Sequence, residues 1–329
     1  MKHTNLIKLA VLTGTLVVGT SITSCGSKEK IGILQPVDHP ALNLAKEGFV
    51  EALKEEGFGE DQIEFRNAKG DSADQNTFAK NLADSCKLVL GIGTGAAQSL
   101  QGAITLASRD IPLLFTAVTD PVDAGLVTSA ANQEGNACGT TDANPVEEQI
   151  NLIKDIIPSA DKIGIIYTQT ETNSKVQADQ ASLAAKEKGL AVEILTCKDA
   201  TDISITAEAL ASKDGLDAIY VPTDNNIAAN MNAIETAAEA HNVLVVCGEE
   251  NMLTTGGHVS ISIDYKNLGF STGKMAAQIL KGEKKSTDFP VTKVPASDCA
   301  FVLNSKNLAS AQITIPESVM SAHTWKDLK

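Results

Sequence analysis

Leu88-Val-Leu-Gly-Ile-Gly-Thr-Gly-Ala-Ala-Gln98 decides the fold. Its first five residues are apolar or glycine without alternation, the pattern of a strand covered on both faces. Gly93 supplies the turn and a helix follows from Thr94. A strand buried on both sides needs a layer above and below it, which is the parallel-sheet arrangement. The same unit recurs along the chain. Ile31-Gly-Ile-Leu34 precedes Leu42, Ala45, Phe49 and Leu53 at helical spacing, with Gly57 as a C-terminal stop. Ile111-Pro-Leu-Leu-Phe-Thr116 adds another strand. A second series opens at Asn144-Pro145, a capping residue before a proline at the first helical position, with Val146, Ile150, Ile153 and Ile157 on one face. It continues through a strand over 163–167 and a helix from Ser174, whose side chain and Gln177 fit a capping box. A strand over 191–195, a helix over 203–210, a strand over 218–221 and a helix over 227–240 follow. Strands over 243–247 and 259–263 and a helix over 268–280, closed by Gly282, complete it. The alternation predicts two doubly wound parallel α/β lobes, and 329 residues, 43% of them hydrophobic, suffice for two cores of about 150 residues each.

The N-terminus reads as a secretory leader. Lys2 and Lys8 precede an apolar run over 9–18, too short for a bilayer core of roughly 30 Å. Ile22-Thr-Ser-Cys25 resembles the bacterial lipobox, which implies cleavage after residue 24 and acyl chains on Cys25. Residues 25–30 are then a small, polar tether, and the body is expected on the extracytoplasmic face of a cell membrane.

Net charge is −14, and loss of Lys2 and Lys8 with residues 1–24 takes it to −16. Such a chain does not suit nucleic acid or an anionic lipid surface. Apart from Cys25 there are five cysteines at wide intervals, with no Cys-x-x-Cys pair and no histidine at zinc-ligand spacing. They read as buried structural thiols, Cys197 and Cys247 at strand ends among them.

In doubly wound sheets ligands bind beyond the carboxyl ends of the strands. Five such loops carry polar residues: Gln35-Pro-Val-Asp-His-Pro-Ala-Leu42, Gly93-Thr-Gly-Ala-Ala-Gln98, Thr116-Ala-Val-Thr-Asp-Pro121, Tyr167-Thr-Gln-Thr-Glu-Thr-Asn-Ser174 and Pro222-Thr-Asp-Asn-Asn226. Three lie in the first series and two in the second, so a ligand touching all five sits between the lobes. Thr94, Gly95, Ala96 and Ala97 place N–H groups and a hydroxyl where a strand turns into a helix, a seat for a carboxylate. Asp120 and Asp224 end strands in opposite lobes and are candidates for an ammonium. Gln35, His39, Thr119, Tyr167, Glu171, Asn173, Ser174 and Asn225 complete the candidate ligand contacts, with Tyr167 a platform for an aromatic side chain. Structural alternatives stand beside each: a turn acceptor for Asp120, an N-cap for Asp224 and Asn225, a helix start for 94–98, a braced first loop for Gln35 and His39, caps for Asn173 and Ser174, solvent for Glu171 and core for Tyr167.

The order of these loops, with Asn67-Ala-Lys-Gly-Asp71, the stretch 115–127 and Ile315-Pro316, resembles the solute-binding lipoproteins of an ABC-transporter family associated with tryptophan and tyrosine uptake. The resemblance spans about 31–316. It implies a type I periplasmic-binding fold, a small ligand clamped between lobes, and delivery to ABC permease subunits by a monomer. Residues 31–140 with about 265–285 then make lobe 1, and 141–264 with about 286–310 make lobe 2; the lobe of 311–329 stays open. Gly95, Thr168, Asp38 and Asn43 depart from the family's proline, asparagine, glutamate and aspartate. The ligand implied is an L-amino acid, aromatic in the family. With only 4% aromatic residues in the chain, that preference is an analogy.

Rival classes are weaker. Gly91-Ile-Gly-Thr-Gly-Ala96 with Asp110 satisfies a dinucleotide fingerprint, but it does not lie in the first strand-to-helix turn. No G-x-S-x-G or histidine cluster suggests hydrolysis or a metal, so neither enzyme activity nor a cofactor is expected. A surface receptor or adhesin on the same fold, or a binder of another small solute, is the alternative.

Overall fold

Residues 29–131 and 134–329, those the computed structural model describes, form two α/β lobes. The leader, Cys25 and most of the tether lie outside the described residues. Lobe 1 begins with β1 (Ile31–Gln35), α1 (Pro40–Glu55), β2 (Ile63–Asn67), α2 (Ser72–Ser85), β3 (Leu88–Ile92), α3 (Thr94–Leu106), β4 (Leu113–Thr116) and β5 (Ala137–Thr141). Lobe 2 follows with α4 (Val146–Ile156), β6 (Lys162–Thr168), α5 (Thr172–Glu187), β7 (Ala191–Cys197), α6 (Ile203–Ala211), β8 (Ala218–Val221), α7 (Asn225–Ala228), α8 (Met231–His241), β9 (Leu244–Cys247) and β10 (Val259–Ser262). The chain then returns to lobe 1 for α9 (Tyr265–Leu280) and β11 (Thr292–Lys293). It ends in lobe 2 with β12 (Ala300–Leu303), α10 (Ser305–Ser310), α11 (Glu317–Ala322) and β13 (Trp325–Asp327).

The sheets run β11-β5-β4-β3-β1-β2 and β13-β12-β10-β9-β8-β6-β7. Every pair in the first is parallel, and in the second only the β10–β12 pair is antiparallel, so that β12 and β13 run opposite to the other five strands. The central strands β1, β3, β4, β8 and β9 are buried throughout, as their unbroken apolar runs require. Each sheet has apolar clusters on both faces, one with Phe49, Leu90 and Leu268, the other with Leu100 and Phe115 in lobe 1. Four of the five described cysteines are buried and all five are free; burial pushes the Cys138 thiol up to about 12.

Helix α9 belongs with α1. A Cβ at Gly48 would overlap the Lys266 carbonyl, and one at Gly269 would overlap that of Ala45, so only glycine lets the two backbones touch. The segment after α9 corrects an expected boundary. Thr292 and Lys293 pair with β5, Val291 N–H donates to the Ala130 carbonyl, and Phe289 joins the lobe 1 core. Residues 286–293 therefore lie in lobe 1, because a parallel edge of β5 stood open there. The segment 311–329 lies in lobe 2 through the pairing of β13 with β12.

Several elements went unread in the sequence, β2, α2, β5 and the short elements after α9. β2 is an edge strand with only half-buried or exposed residues, and α2 is polar, with Ala79, Leu82 and Ala83 alone buried. The helix is fixed instead by Asp71, which accepts from the N–H groups of Ala73 and Asp74 at 2.8 and 2.9 Å. The expected capping box at Ser174 is overturned as well. α5 starts at Thr172, which places Ser174 and Gln177 inside the helix, both buried.

Candidate functional site

The carboxyl ends of both sheets meet at a cleft. An outer cavity of about 170 Å³, open to the surface, has lobe 1 walls of Pro36, Val37, Gly70, Ser72, Gln75, Gly95 and Gln98. Facing them are Glu171, Asn173, Asn225 and Asn226 of lobe 2. A smaller inner cavity of about 10 Å³, room for a single water, adjoins it, and Asn173 and Asn225 line both. Its walls are His39, Ala41, Leu42 and Ala117 from lobe 1, Thr223, Asp224, Glu249 and Met252 from lobe 2, and Asp142 and Tyr265 where the chain crosses. The lobes are drawn together: His39 Nε2 of lobe 1 lies 3.4 Å from Glu249 Oε1 of lobe 2.

The lobe 1 wall is a set of strand-to-helix turns. Gln35, at the end of β1, donates from Nε2 to the Val37 carbonyl at 2.8 Å and to Asn43 Oδ1 at 2.9 Å, which fixes the first loop. Gly93 adopts a φ of 84° to turn β3 into α3. By helix geometry the N–H groups of Thr94, Gly95 and Ala96 at the start of that 13-residue helix have no intrahelical acceptor, and Gly95 lines the cleft. Thr94 is buried, and its hydroxyl has no hydrogen-bond partner.

The lobe 2 wall is a hydrogen-bonded carboxylate lattice. Glu171 accepts from Asn225 N–H at 3.0 Å, Asn225 Nδ2 at 2.8 Å and Asn226 N–H at 3.1 Å. Asp224 accepts from Thr168 N–H at 2.6 Å, the Thr168 hydroxyl at 2.9 Å and Ile227 N–H at 2.9 Å. Glu249 accepts from the N–H groups of Asn251 and Met252. Asp142 accepts from the Thr119 hydroxyl at 3.0 Å and the Tyr265 hydroxyl at 2.9 Å. Burial pushes Glu171 up to about 8, with the neighbouring Asp224 carboxylate adding to it. Burial likewise raises Asp224 and Asp142. Four carboxyl groups thus line a cleft whose walls hold no Lys or Arg among the described residues. Such a cleft favours a positive group and, at the N-terminus of α3, one negative group.

Of the residues expected from sequence, His39, Gly95, Glu171, Asn173, Asp224 and Asn225 line the cavities. Gln35 and Thr94 stand just behind them. Asp120 does not reach: its Oδ1 accepts from Val122 and Asp123 N–H at 3.0 and 2.9 Å, so it holds a turn. Ala96 and Ala97 pack into the lobe 1 core, and Ala97 N–H is taken by the Gly93 carbonyl. Thr119 acts through Asp142. Tyr167 packs against the lobe 2 core, and Ser174 sits inside α5. Asp142, Thr223, Glu249, Met252 and Tyr265 were not foreseen. The rule about strand ends would have found Asp142 and Glu249, since they lie one and two residues after β5 and β9.

The family described as ABC transporter substrate binding protein matches residues 30–325. A tyrosine-binding protein from Clostridioides difficile is 34% identical over 290 residues, 87% of this chain and 81% of that one. Among solved structures, an ABC domain in complex with L-Trp from Streptococcus pneumonia is similar with a TM-score of 0.82 and 37% identity, covering 90% of this chain and 99% of its own. A ligand-free, open substrate-binding protein with adhesive properties from Clostridium difficile gives a TM-score of 0.67 at 33% identity, covering 92% and 100%. At similar identity the likeness is greater to the ligand-bound structure, in keeping with the short His39–Glu249 approach across the cleft. On the fold, the interlobe cleft and these matches together, the chain belongs to the ABC transporter substrate-binding protein family.

Proposed function

We propose that the cleft captures an L-amino acid with an aromatic side chain and presents it, unaltered, to an ABC permease. The observation that carries this reading is the pairing of opposite electrostatics across the closed cleft. The first turn of α3 with Thr94 offers hydrogen bonds to a carboxylate, while Glu171 and Asp224 face it from lobe 2 with no protein cation to neutralise them. An α-ammonium supplies that cation. The ligand then lies in the outer cavity, where Pro36 and Val37 give it apolar wall beside these polar groups. The tyrosine-binding relative and the L-Trp complex support this chemistry.

Delivery to a membrane complex agrees with the leader, and acylation at Cys25 would hold the protein at the extracytoplasmic face of the cell membrane. A second reading, attachment to a surface, draws support from the relative with adhesive properties. A thermal-shift panel on the full chain with amino acids, sugars and nucleosides tests the proposal. A ligand at 100 times its Kd stabilises by about 2.7 kcal/mol. Stabilisation by sugars or nucleosides alone would refute it.

A further inference from the structure

His39 stands at the N-cap of α1, a position whose side chain ordinarily caps the helix, yet its ring makes no such bond. The backbone does the work instead. The His39 carbonyl accepts from Asn43 N–H at 2.9 Å, and Pro40 takes the first helical position, where no N–H has to be satisfied. Released from its own helix, the imidazole faces lobe 2. Its Nε2 lies 3.4 Å from Glu249 Oε1, with the two residues 4% and 1% exposed. Glu249 is held for this meeting by its own loop, accepting from Asn251 N–H at 2.7 Å, Asn251 Nδ2 at 2.8 Å and Met252 N–H at 2.9 Å.

The space beside the ring sets what else it can touch. The inner cavity offers about 10 Å³, one water and far too little for a ligand's side chain. Two buried polar atoms of its lining residues lack hydrogen-bond partners, His39 Nδ1 from lobe 1 and Thr223 Oγ1 from lobe 2. A carboxylate oxygen only accepts, so the ring proton of the neutral imidazole belongs on Nε2, and Nδ1 presents a lone pair. The Thr223 N–H and carbonyl are taken by Gln177 and Asn173, which leaves its hydroxyl to serve the chamber. One water donating to Nδ1 and bonded to that hydroxyl satisfies both atoms.

We infer that His39 is a positioning residue that latches lobe 1 to lobe 2, directly against Glu249 and through one buried water to Thr223, and holds the cleft closed without touching the ligand. Opening the cleft parts His39 from both lobe 2 groups at once. The latch therefore populates the closed form in the ligand-free chain and slows opening around a bound ligand, so it acts on release and not on capture. It needs no ligand atom, and it stands whichever solute the outer cavity takes.

The test compares the unaltered full chain with His39→Leu, His39→Gln, Thr223→Val and the His39→Leu/Thr223→Val pair. Release of radiolabelled L-tyrosine or L-tryptophan into excess unlabelled ligand should be about 5- to 30-fold faster in His39→Leu, with the rate of capture lowered by less than about twofold. His39→Gln keeps a donor and should recover part of the loss. Thr223→Val should speed release about three- to tenfold alone, and less than about twofold in the His39→Leu background, because the water link is already broken there. Unchanged release in His39→Leu, or slowed capture alone, overturns the latch. A Thr223→Val effect that is absent, or equal in both backgrounds, overturns the water link. Small-angle scattering of the ligand-free proteins needs no ligand and should show His39→Leu less compact than the unaltered chain. If neither label binds, the amino-acid reading fails and scattering decides alone: identical profiles overturn the latch, and a less compact His39→Leu supports it.

Discussion

If an ammonium seats against Glu171, binding must release a proton. The carboxyl sits at the cleft behind Asn173 and Asn225, and burial with the adjacent Asp224 raises it to about 8. At pH 7 roughly nine-tenths of the ligand-free protein is then protonated at this group, at pH 6 about 99%, and at pH 8 about half. Only the ionised form pairs with the ligand, so apparent affinity scales with its fraction. Affinity should drop about tenfold from pH 7 to pH 6 and rise about fivefold from pH 7 to pH 8. Calorimetry at pH 7 in two buffers of different ionisation enthalpy should report close to one proton released per ligand bound. Glu171→Gln keeps the shape and removes the titration. Its affinity should be flat between pH 6 and 8 and about 10- to 150-fold weaker than the unaltered protein at pH 8, the range for a lost charged hydrogen bond. A constant Kd from pH 6 to 8 with no proton release would refute the assignment of Glu171 to the ammonium. The same group has a folding signature of defined sign. Its folded value lies above the ordinary 4.5, so its contribution is fully present below that pH and is lost as pH rises toward 8. The melting temperature of the ligand-free protein should therefore fall across that interval, and less so in Glu171→Gln.

Three further substitutions probe the turn at Asp120, the contact of α9 with α1 and the proposed acylation of Cys25. Asp120→Ala should leave ligand affinity within about twofold while lowering stability by about 0.5–1.5 kcal/mol in denaturant titration, because Asp120 holds a turn and not the ligand. Gly269→Ala should cost about 1–3 kcal/mol by forcing α9 off α1, read as a clear fall in melting temperature with no change in secondary-structure content. Cys25→Ser should abolish incorporation of a fatty-acid label and shift the protein from membrane to soluble fractions; continued labelling would place the acyl group elsewhere.

The fold was legible where burial on both faces removed the need for polar alternation, as in β3 and β9. It was illegible at the edges. β2 and α2 carry half-solvated faces, and the start of α2 is set by Asp71 more than by hydrophobic period. The return of the chain for β11 could not be read from two polar residues whose only assignment is their pairing with β5. In the site, loops after strands gave the right neighbourhood, and His39, Glu171, Asn173 and Asp224 are there. Residue type alone misled at Asp120, since a carboxylate before Pro121 serves the turn next to it as readily as a ligand. Tyr265 was hidden because its hydroxyl acts at the crossing through Asp142, 123 positions earlier in the chain.

The order in which the lobes are threaded sets the timing of assembly. Lobe 1 needs α9 and β11, yet all of β6 to β10 is made between β5 and α9. At synthesis rates of ~5–20 residues per second, roughly 6–25 s separate the first part of lobe 1 from the helix that covers it. For that interval α1 shows its glycine-notched face and the apolar residues beside it, including Phe49 and Leu53, to whatever the newborn chain meets. A permuted chain starting near residue 264 would close that lobe without waiting for its neighbour, and should need less help from holding chaperones during synthesis.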